Sequence, residues 1–127
     1  MRLRVRLWLV IAALNGALAV AFDAFAAHGL SQRLDSHALG IFETGARYHM
    51  YHALAMGLAA LAMQTKAART ATWSAALFLA GIVLFSGSLY TLAVTGERMF
   101  AFVTPVGGVS FLAGWVLLAL AAWRSKA

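Results

Sequence analysis

The stretch LWLVIAALNGALAVAFDAFAA, at residues 7–27, decides the fold class of this chain. Its one charged residue is Asp23, and its length of about 20 residues is what a helix needs to cross roughly 30 Å of hydrocarbon. Three arginines precede it. The small-x-small triplet at 24–26 is typical of a signal-peptide cleavage site, but the apolar run is longer than the 7–15 or so residues of a signal-peptide core. We therefore expect a retained membrane span.

The composition extends this interpretation to the whole chain. Of its 127 residues, 63% are hydrophobic and 11% are charged, whereas soluble domains carry about 25% charged residues. A chain of this length cannot bury so much apolar surface, so we expect a bilayer to solvate it. The net charge of +6 does not indicate a nucleic-acid partner, because the basic residues lie in separate patches. The absence of cysteine excludes disulfides and thiolate metal sites.

Further apolar runs predict an all-α membrane protein, a bundle of four transmembrane helices that forms one domain over residues 1–127. The predicted spans are residues 7–27, 45–63, 73–94 and 105–123. Most basic residues lie in the two terminal tails and in the connection after the second span. By the positive-inside rule these parts are cytoplasmic, and the other two connections lie on the opposite side. The residues that set this orientation are Arg2, Arg4, Arg6, Lys66, Arg69, Arg124 and Lys126.

Polar side chains concentrate in the stretch FETGARYHMYHAL, at residues 42–54, which leads into the second span. Ionisable groups at or inside a bilayer are costly, so they tend to face a partner, a cavity or water. Glu43 and Arg47 have the spacing and orientation of a helical ion pair, and His49 lies on a separate face with small residues. We expect a structural or binding cluster on the non-cytoplasmic side. Its predicted members are Asn15, Asp23, His28, Glu43, Arg47, Tyr48, Tyr51 and His52.

Small residues at helical spacing predict where the helices pack closely, because lipid supplies no hydrophobic drive between helices. Serines 86 and 88 lie within a span with no acid or histidine nearby in sequence, so we expect no hydrolytic triad. The predicted packing residues are Gly16, Ser86, Gly87, Ser88, Gly107, Gly108 and Gly114.

A transporter or channel is the first alternative for the polar groups. Asp23, Glu43, Arg47 and His52 would line its path, and a desolvated carboxylate would exchange a proton for a cation. Four short helices enclose little space alone, so this alternative predicts an oligomer. Against it, Asp23 lies only a few residues from the end of its span. We prefer a carboxylate at the membrane interface, paired with Arg47, His28 or His52.

A metal or haem site is the second alternative. Imidazole suits zinc, copper or haem iron, so His28, His49 and His52 are its candidate ligands. No strict ligand signature accompanies them. We therefore expect no metal and no cofactor.

Most of the chain resembles a known family. The matching stretches are NGALAVAFDAFAAHGL (15–30), FETGARYHMYHALAM (42–56), LFSGSLYTLAVTG (84–96) and TPVGGVSFLAGWVLLALAA (104–122). They are similar to the domain-of-unknown-function family 423, the transmembrane protein 256-like proteins. The resemblance implies a small four-helix protein of the bacterial inner membrane with no established activity. The family pattern also marks Tyr90, and it has a small residue where this chain has Asp23.

The sequence therefore predicts a multi-pass inner-membrane protein that is not an enzyme. Its expected role is a helical scaffold, or a subunit that binds lipid or a partner, with its polar cluster on the periplasmic side. Membrane lipid is the expected partner, and a second copy or another membrane protein is the further candidate.

Overall fold

The structure is a computed structural model that describes residues 1–125; Lys126, which belongs to the predicted cytoplasmic tail, lies outside them. Within the described residues every regular element is helical. The predicted all-helical fold is confirmed. The α-helices are α1 (Leu3–His28), α2 (Ser36–Ala62), α3 (Ala68–Gly81), α4 (Gly87–Thr95) and α5 (Thr104–Trp123), with short 3₁₀ helices at Leu30–Gln32 and Arg98–Phe102.

Three helical stretches of the described chain are long and apolar enough to cross a membrane. They contain the first, third and fourth predicted spans. α2 has 27 residues but is not one of them, because polar residues such as Glu43, Arg47, His49 and His52 lower its hydropathy. The second predicted span, residues 45–63, therefore stays a prediction. The three apolar stretches are Leu3–Gln32, Ala68–Thr95 and Arg98–Trp123.

α2 lies at the centre of the fold, in contact with α1, α3, α4 and α5. Its small residues make this possible, because Ala53, Ala55, Ala59 and Ala60 are all buried and let neighbouring backbones approach closely. α1 packs on α2, while α5 packs mainly on α3. The chain is thus two helical hairpins that meet along α2.

The stretch from α3 to the end of α4 is one continuous helix, here called the third helix, and it widens in its middle. α3 and α4 are joined without a break by a π-helical turn, Ile82–Ser86, in which the amide of Gly87 donates to the carbonyl of Ile82, five residues earlier. Such a turn holds one residue more than an α-helical turn. α5 presses directly against it, because a Cβ added to Gly107 would collide with the backbone of Phe85. The glycine is therefore required by the contact between the two backbones.

Glycines and phenylalanine rings interlock between α3 and α5. A Cβ on Gly114 would lie 2.7 Å from the ring of Phe78, and a Cβ on Gly81 would collide with the ring of Phe111. Gly16 differs, because a Cβ there would meet nothing within 4 Å. Among residues 1–125, this part of α1 leaves the position open, so close packing at Gly16 stays a prediction.

The other predicted packing residues have looser or polar contacts. A Cβ on Gly87 or on Gly108 would meet its nearest atom at 3.9 Å, which is ordinary van der Waals contact. The hydroxyl oxygens of Ser88 and Thr104 lie 2.6 Å apart and connect α4 to the start of α5. Ser86 is buried in the π-helical turn, and its hydroxyl has no hydrogen-bond partner among residues 1–125.

Candidate functional site

A hydrogen-bonded chain centred on His49 joins three helices. This side chain is 3% exposed. Its Nδ1 lies 2.9 Å from the hydroxyl of Tyr90 on α4, and its Nε2 lies 3.0 Å from Oδ1 of Asn15 on α1. The amide nitrogen of Asn15 donates to the carbonyl of Ile11 at 2.9 Å, which leaves Oδ1 as the acceptor. In the neutral imidazole, Nε2 therefore carries the proton and the Tyr90 hydroxyl donates to Nδ1.

Aromatic rings enclose this chain. The ring centroid of Tyr90 lies 4.9 Å from that of Phe22 on α1 and 4.7 Å from that of Phe42 on α2. Phe22 also lies against His49, with their ring centroids 6.2 Å apart. The chain is thus shielded by the same three helices that it connects.

His52 makes a second connection, on the other side of α2. Its Nδ1 lies 2.7 Å from the backbone carbonyl oxygen of Tyr48, and its Nε2 accepts a hydrogen bond of 3.1 Å from the indole N–H of Trp115 on α5. Its ring stacks on Phe111 with centroids 3.5 Å apart and planes 6° apart. Because one nitrogen faces a carbonyl and the other faces an N–H, the neutral ring carries its proton on Nδ1.

An open apolar groove lies beside His52, between α2 and α5. Its volume is about 590 Å³, within the range of small-molecule sites. On α2 it extends from Tyr48 to Leu58, which is about 15 Å along the helix axis. Its walls are made mainly of apolar side chains, including Leu54, Leu112 and Trp115.

A smaller pocket of about 250 Å³ lies between α1 and α2 and is lined by charged side chains from both helices. Asp23 comes from α1 and Arg47 from α2, and both residues are exposed. The guanidinium of Arg47 donates to the hydroxyl of Thr44 at 3.2 Å. Tyr51 lines this pocket and also lines the groove. The charged pocket and the apolar groove therefore meet at one side chain.

A comparison with known families identifies the family of this chain. The family profile described as a protein of unknown function, DUF423, matches residues 22–108. The chain belongs to the DUF423 family. No solved structure matches it.

Relatives from several bacteria are similar over nearly the whole chain. The Escherichia coli UPF0382 inner membrane protein YgdD is 47% identical over 121 residues, which cover 95% of this chain and 92% of the relative. The Bacillus subtilis UPF0382 membrane protein YwdK is 42% identical over 92% of this chain and 96% of its own length. A UPF0382 membrane protein of Haemophilus influenzae is 43% identical over 94% and 95%. The predicted family and the predicted location in the bacterial inner membrane are confirmed.

The predicted polar cluster is divided between several places in this DUF423 protein. Asn15 belongs to the His49 chain, whereas His52 and Tyr48 lie on the groove side of α2. Asp23 and Arg47 line the charged pocket. The four residues of the transporter alternative are therefore not gathered around one cavity, since His52 lines the groove while Asp23 and Arg47 line the pocket.

The remaining charged candidates lie near the ends of the helices. His28 is the last residue of α1 and is exposed, and Glu43 is half-buried on α2. The structure gives Arg47 a hydrogen bond to Thr44, within its own helix, in place of the expected ion pair with Glu43. Among residues 1–125, no group of three or more His, Asp or Glu side chains is placed to hold a metal ion.

The central position of His49 and Tyr90 was not predicted from the sequence. His49 shares a face of α2 with small residues, and that face is indeed buried, with Gly45, Ala53 and Met56. A polar ring on an otherwise small, buried face was the available signal, because such a group requires hydrogen-bond partners from neighbouring helices. No sequence signal indicated that the partners would be Asn15 and Tyr90.

Proposed function

We propose that this protein is a non-enzymatic four-helix subunit of the inner membrane that binds a lipid chain in the groove between α2 and α5. The observation that carries the proposal is the groove itself. It is open and mainly apolar, and the polar groups of the side chains beside it already have hydrogen-bond partners. The proposal places both termini in the cytoplasm and the mouth of the groove on the periplasmic side.

The hydrogen bonding of the buried histidines supports a structural role for them. Both ring nitrogens of His49 and both of His52 have protein partners. A general base or a metal ligand needs a ring nitrogen that is free to meet its substrate or ion. The histidines therefore connect helices and shape the wall of the groove.

The shape and position of the groove support an acyl chain as its occupant. Leu54 and Leu58 on one wall and Leu112 on the other are 64%, 54% and 67% exposed, so the groove opens sideways along the helices, where the lipid lies. Its length of about 15 Å matches about half of the 30 Å or so of hydrocarbon in a bilayer. A chain from one leaflet would fit along it.

The position of α2 supports its assignment as the second of four spans. Its 27 residues are enough to cross a bilayer, and α1, α3, α4 and α5 all contact it. Polar residues within a span are tolerated where they face the interior of a bundle. His49 and His52 meet that condition, because they are 3% and 4% exposed.

Filling the groove tests the proposal. Gly108 lines the groove, and a side chain there has room at its Cβ, so Gly108→Leu should occupy the groove without breaking the bundle. Native mass spectrometry of the protein purified in mild detergent should find one retained phospholipid per chain in the wild type and about tenfold less in the variant.

Gly16→Leu is the matched control, because Gly16 is equally open but is not part of the groove. It should retain lipid as the wild type does. Equal lipid retention in Gly108→Leu and in the wild type would overturn the proposal, and so would a stable dimer whose interface covers the groove in place of lipid.

A further inference from the structure

The charged pocket adjoins the apolar groove, so one amphiphilic molecule can occupy both. Tyr51 lines the two cavities and is 51% exposed, so a single half-exposed side chain lies between them. The charged pocket lies at the level of residues 46–51 of α2, and the groove extends from residue 48 to residue 58. The charges therefore lie toward the end of the groove where α2 begins.

This arrangement has the polarity of a phospholipid site. The groove is suited to an acyl chain, and the pocket is suited to a headgroup near the membrane surface. In the proposed topology that surface is the periplasmic one, where α1 ends and α2 enters the bilayer.

The two charges in the pocket have opposite sign and come from different helices. Arg47 presents a guanidinium, whose planar set of N–H donors matches the oxygens of a phosphate. Asp23 presents a carboxylate, which accepts hydrogen bonds from an ammonium group. Among residues 1–125, the Arg47 side chain makes a single hydrogen bond, to Thr44, so most of its five donors are available to a ligand.

We propose that this pocket selects the phosphoethanolamine headgroup of the lipid whose chain occupies the groove. The phosphate contacts Arg47 and the primary ammonium donates to Asp23. This inference rests on the proposed lipid-binding function and adds the identity of the headgroup.

The proposed contacts disfavour the headgroups of phosphatidylcholine and phosphatidylglycerol. Phosphatidylcholine carries a quaternary ammonium, which has no N–H to donate to Asp23. Phosphatidylglycerol carries neutral hydroxyls in place of the ammonium, so it would give Asp23 only hydrogen bonds from an uncharged donor, which are weaker than those from an ammonium. Phosphatidylethanolamine can place its phosphate on Arg47 and its ammonium on Asp23 at the same time.

Competition between headgroups on matched acyl chains provides the test. The full-length protein in detergent is mixed with equal amounts of phosphatidylethanolamine, phosphatidylcholine and phosphatidylglycerol, and the bound lipids are counted by native mass spectrometry. The wild type should prefer phosphatidylethanolamine by about tenfold, which corresponds to one hydrogen bond to a charged group.

Two variants assign the preference to the pocket. Asp23→Asn should abolish the preference for phosphatidylethanolamine over phosphatidylcholine while total lipid binding persists. Arg47→Gln should weaken binding of all three phospholipids. The matched controls are Glu97→Gln and Arg98→Gln, which make the same charge changes at exposed residues of the connection before α5.

The outcomes separate this inference from the proposed function. If lipid binds in the groove, as the Gly108→Leu comparison shows, but the wild type has no headgroup preference or prefers phosphatidylglycerol, the headgroup assignment is wrong and the groove proposal stands. An unchanged preference in Asp23→Asn has the same meaning. If neither the wild type nor any variant retains lipid, both proposals fail.

Discussion

At the scale of single residues, His49 shows how a buried polar group organises a membrane fold. The hydroxyl of Tyr90 donates to the imidazole, the imidazole donates to Asn15, and Asn15 donates to the carbonyl of Ile11. The imidazole and the side-chain amide of Asn15 each donate one hydrogen bond and accept one. Because such groups lose their hydrogen bonds to water when they are buried, each depends on its neighbours for replacement hydrogen bonds. The chain therefore fixes how α1, α2 and α4 are oriented relative to one another.

Removing the hydroxyl of Tyr90 tests that connection. Tyr90→Phe keeps the ring among Phe22, Phe42 and His49 but leaves Nδ1 of His49 without a donor, so we expect a modest loss of stability. Hydrogen bonds between membrane helices contribute about 0.6 kcal/mol on average and about 1.7 kcal/mol at most. The free energy of unfolding, measured by titration with sodium dodecyl sulfate in mixed micelles, should fall by an amount in this range.

Tyr51→Phe is the matched control for this prediction, because Tyr51 is 51% exposed and is not part of the His49 chain. Its free energy of unfolding should change little. If the Tyr90 and Tyr51 variants unfold at the same detergent fraction, the His49 chain does not stabilise the fold.

At the scale of helices, the contact between α5 and the third helix depends on the absence of side-chain atoms at one position. Gly107 lies against the backbone of Phe85 in the π-helical turn, whereas its neighbour Gly108 has ordinary clearance. The two glycines are adjacent in sequence, yet only the first is at a point of backbone contact. Composition alone would treat them as equivalent.

The two alanine substitutions should therefore differ. Gly107→Ala forces α5 away from the third helix, and overpacking of this kind typically costs about 1–3 kcal/mol. Gly108→Ala should change the free energy of unfolding by no more than about 0.5 kcal/mol, as a typical surface substitution does. Detergent-induced unfolding followed by circular dichroism measures both. Similar stabilities for the two variants would contradict the close backbone contact.

At the scale of the whole molecule, the proposed four-span topology places α2 across the bilayer. The chain has no cysteine, so single cysteines can report which side each connection faces. We expect Gln32→Cys and Met99→Cys to react with a membrane-impermeant maleimide added to intact spheroplasts, and Gln64→Cys to react only after lysis. Residues 32, 64 and 99 are exposed, and the cysteine-free wild type is the blank. Reaction of both Gln32→Cys and Gln64→Cys in intact spheroplasts would exclude a crossing by α2, because the two residues flank that helix.

The sequence was sufficient for the general architecture and insufficient for the contacts. Long apolar runs predict membrane helices because hydrocarbon thickness fixes their length, and the buried face of α2 follows from the spacing of Gly45, His49 and Ala53. Partners such as Tyr90 lie 41 positions away from His49, and such pairing depends on how helices rotate against each other. Side-chain periodicity describes one helix at a time, so it could not distinguish the His49 chain from the groove.

Because of the π-helical turn, the direction of the side chains in the second half of the third helix depends on the number of residues in that turn. A regular α-helix rotates about 100° per residue, so one additional residue at Ile82–Ser86 shifts every later side chain around the axis by about that angle. Phe78 can then face α5 while Tyr90, later in the same helix, faces His49. The relative orientation of these two rings therefore depends on the number of residues between them. Deletion of a single residue there, even of Val83, which is 63% exposed, would disconnect Tyr90 from His49, although replacing Val83 by another apolar residue would leave the arrangement intact.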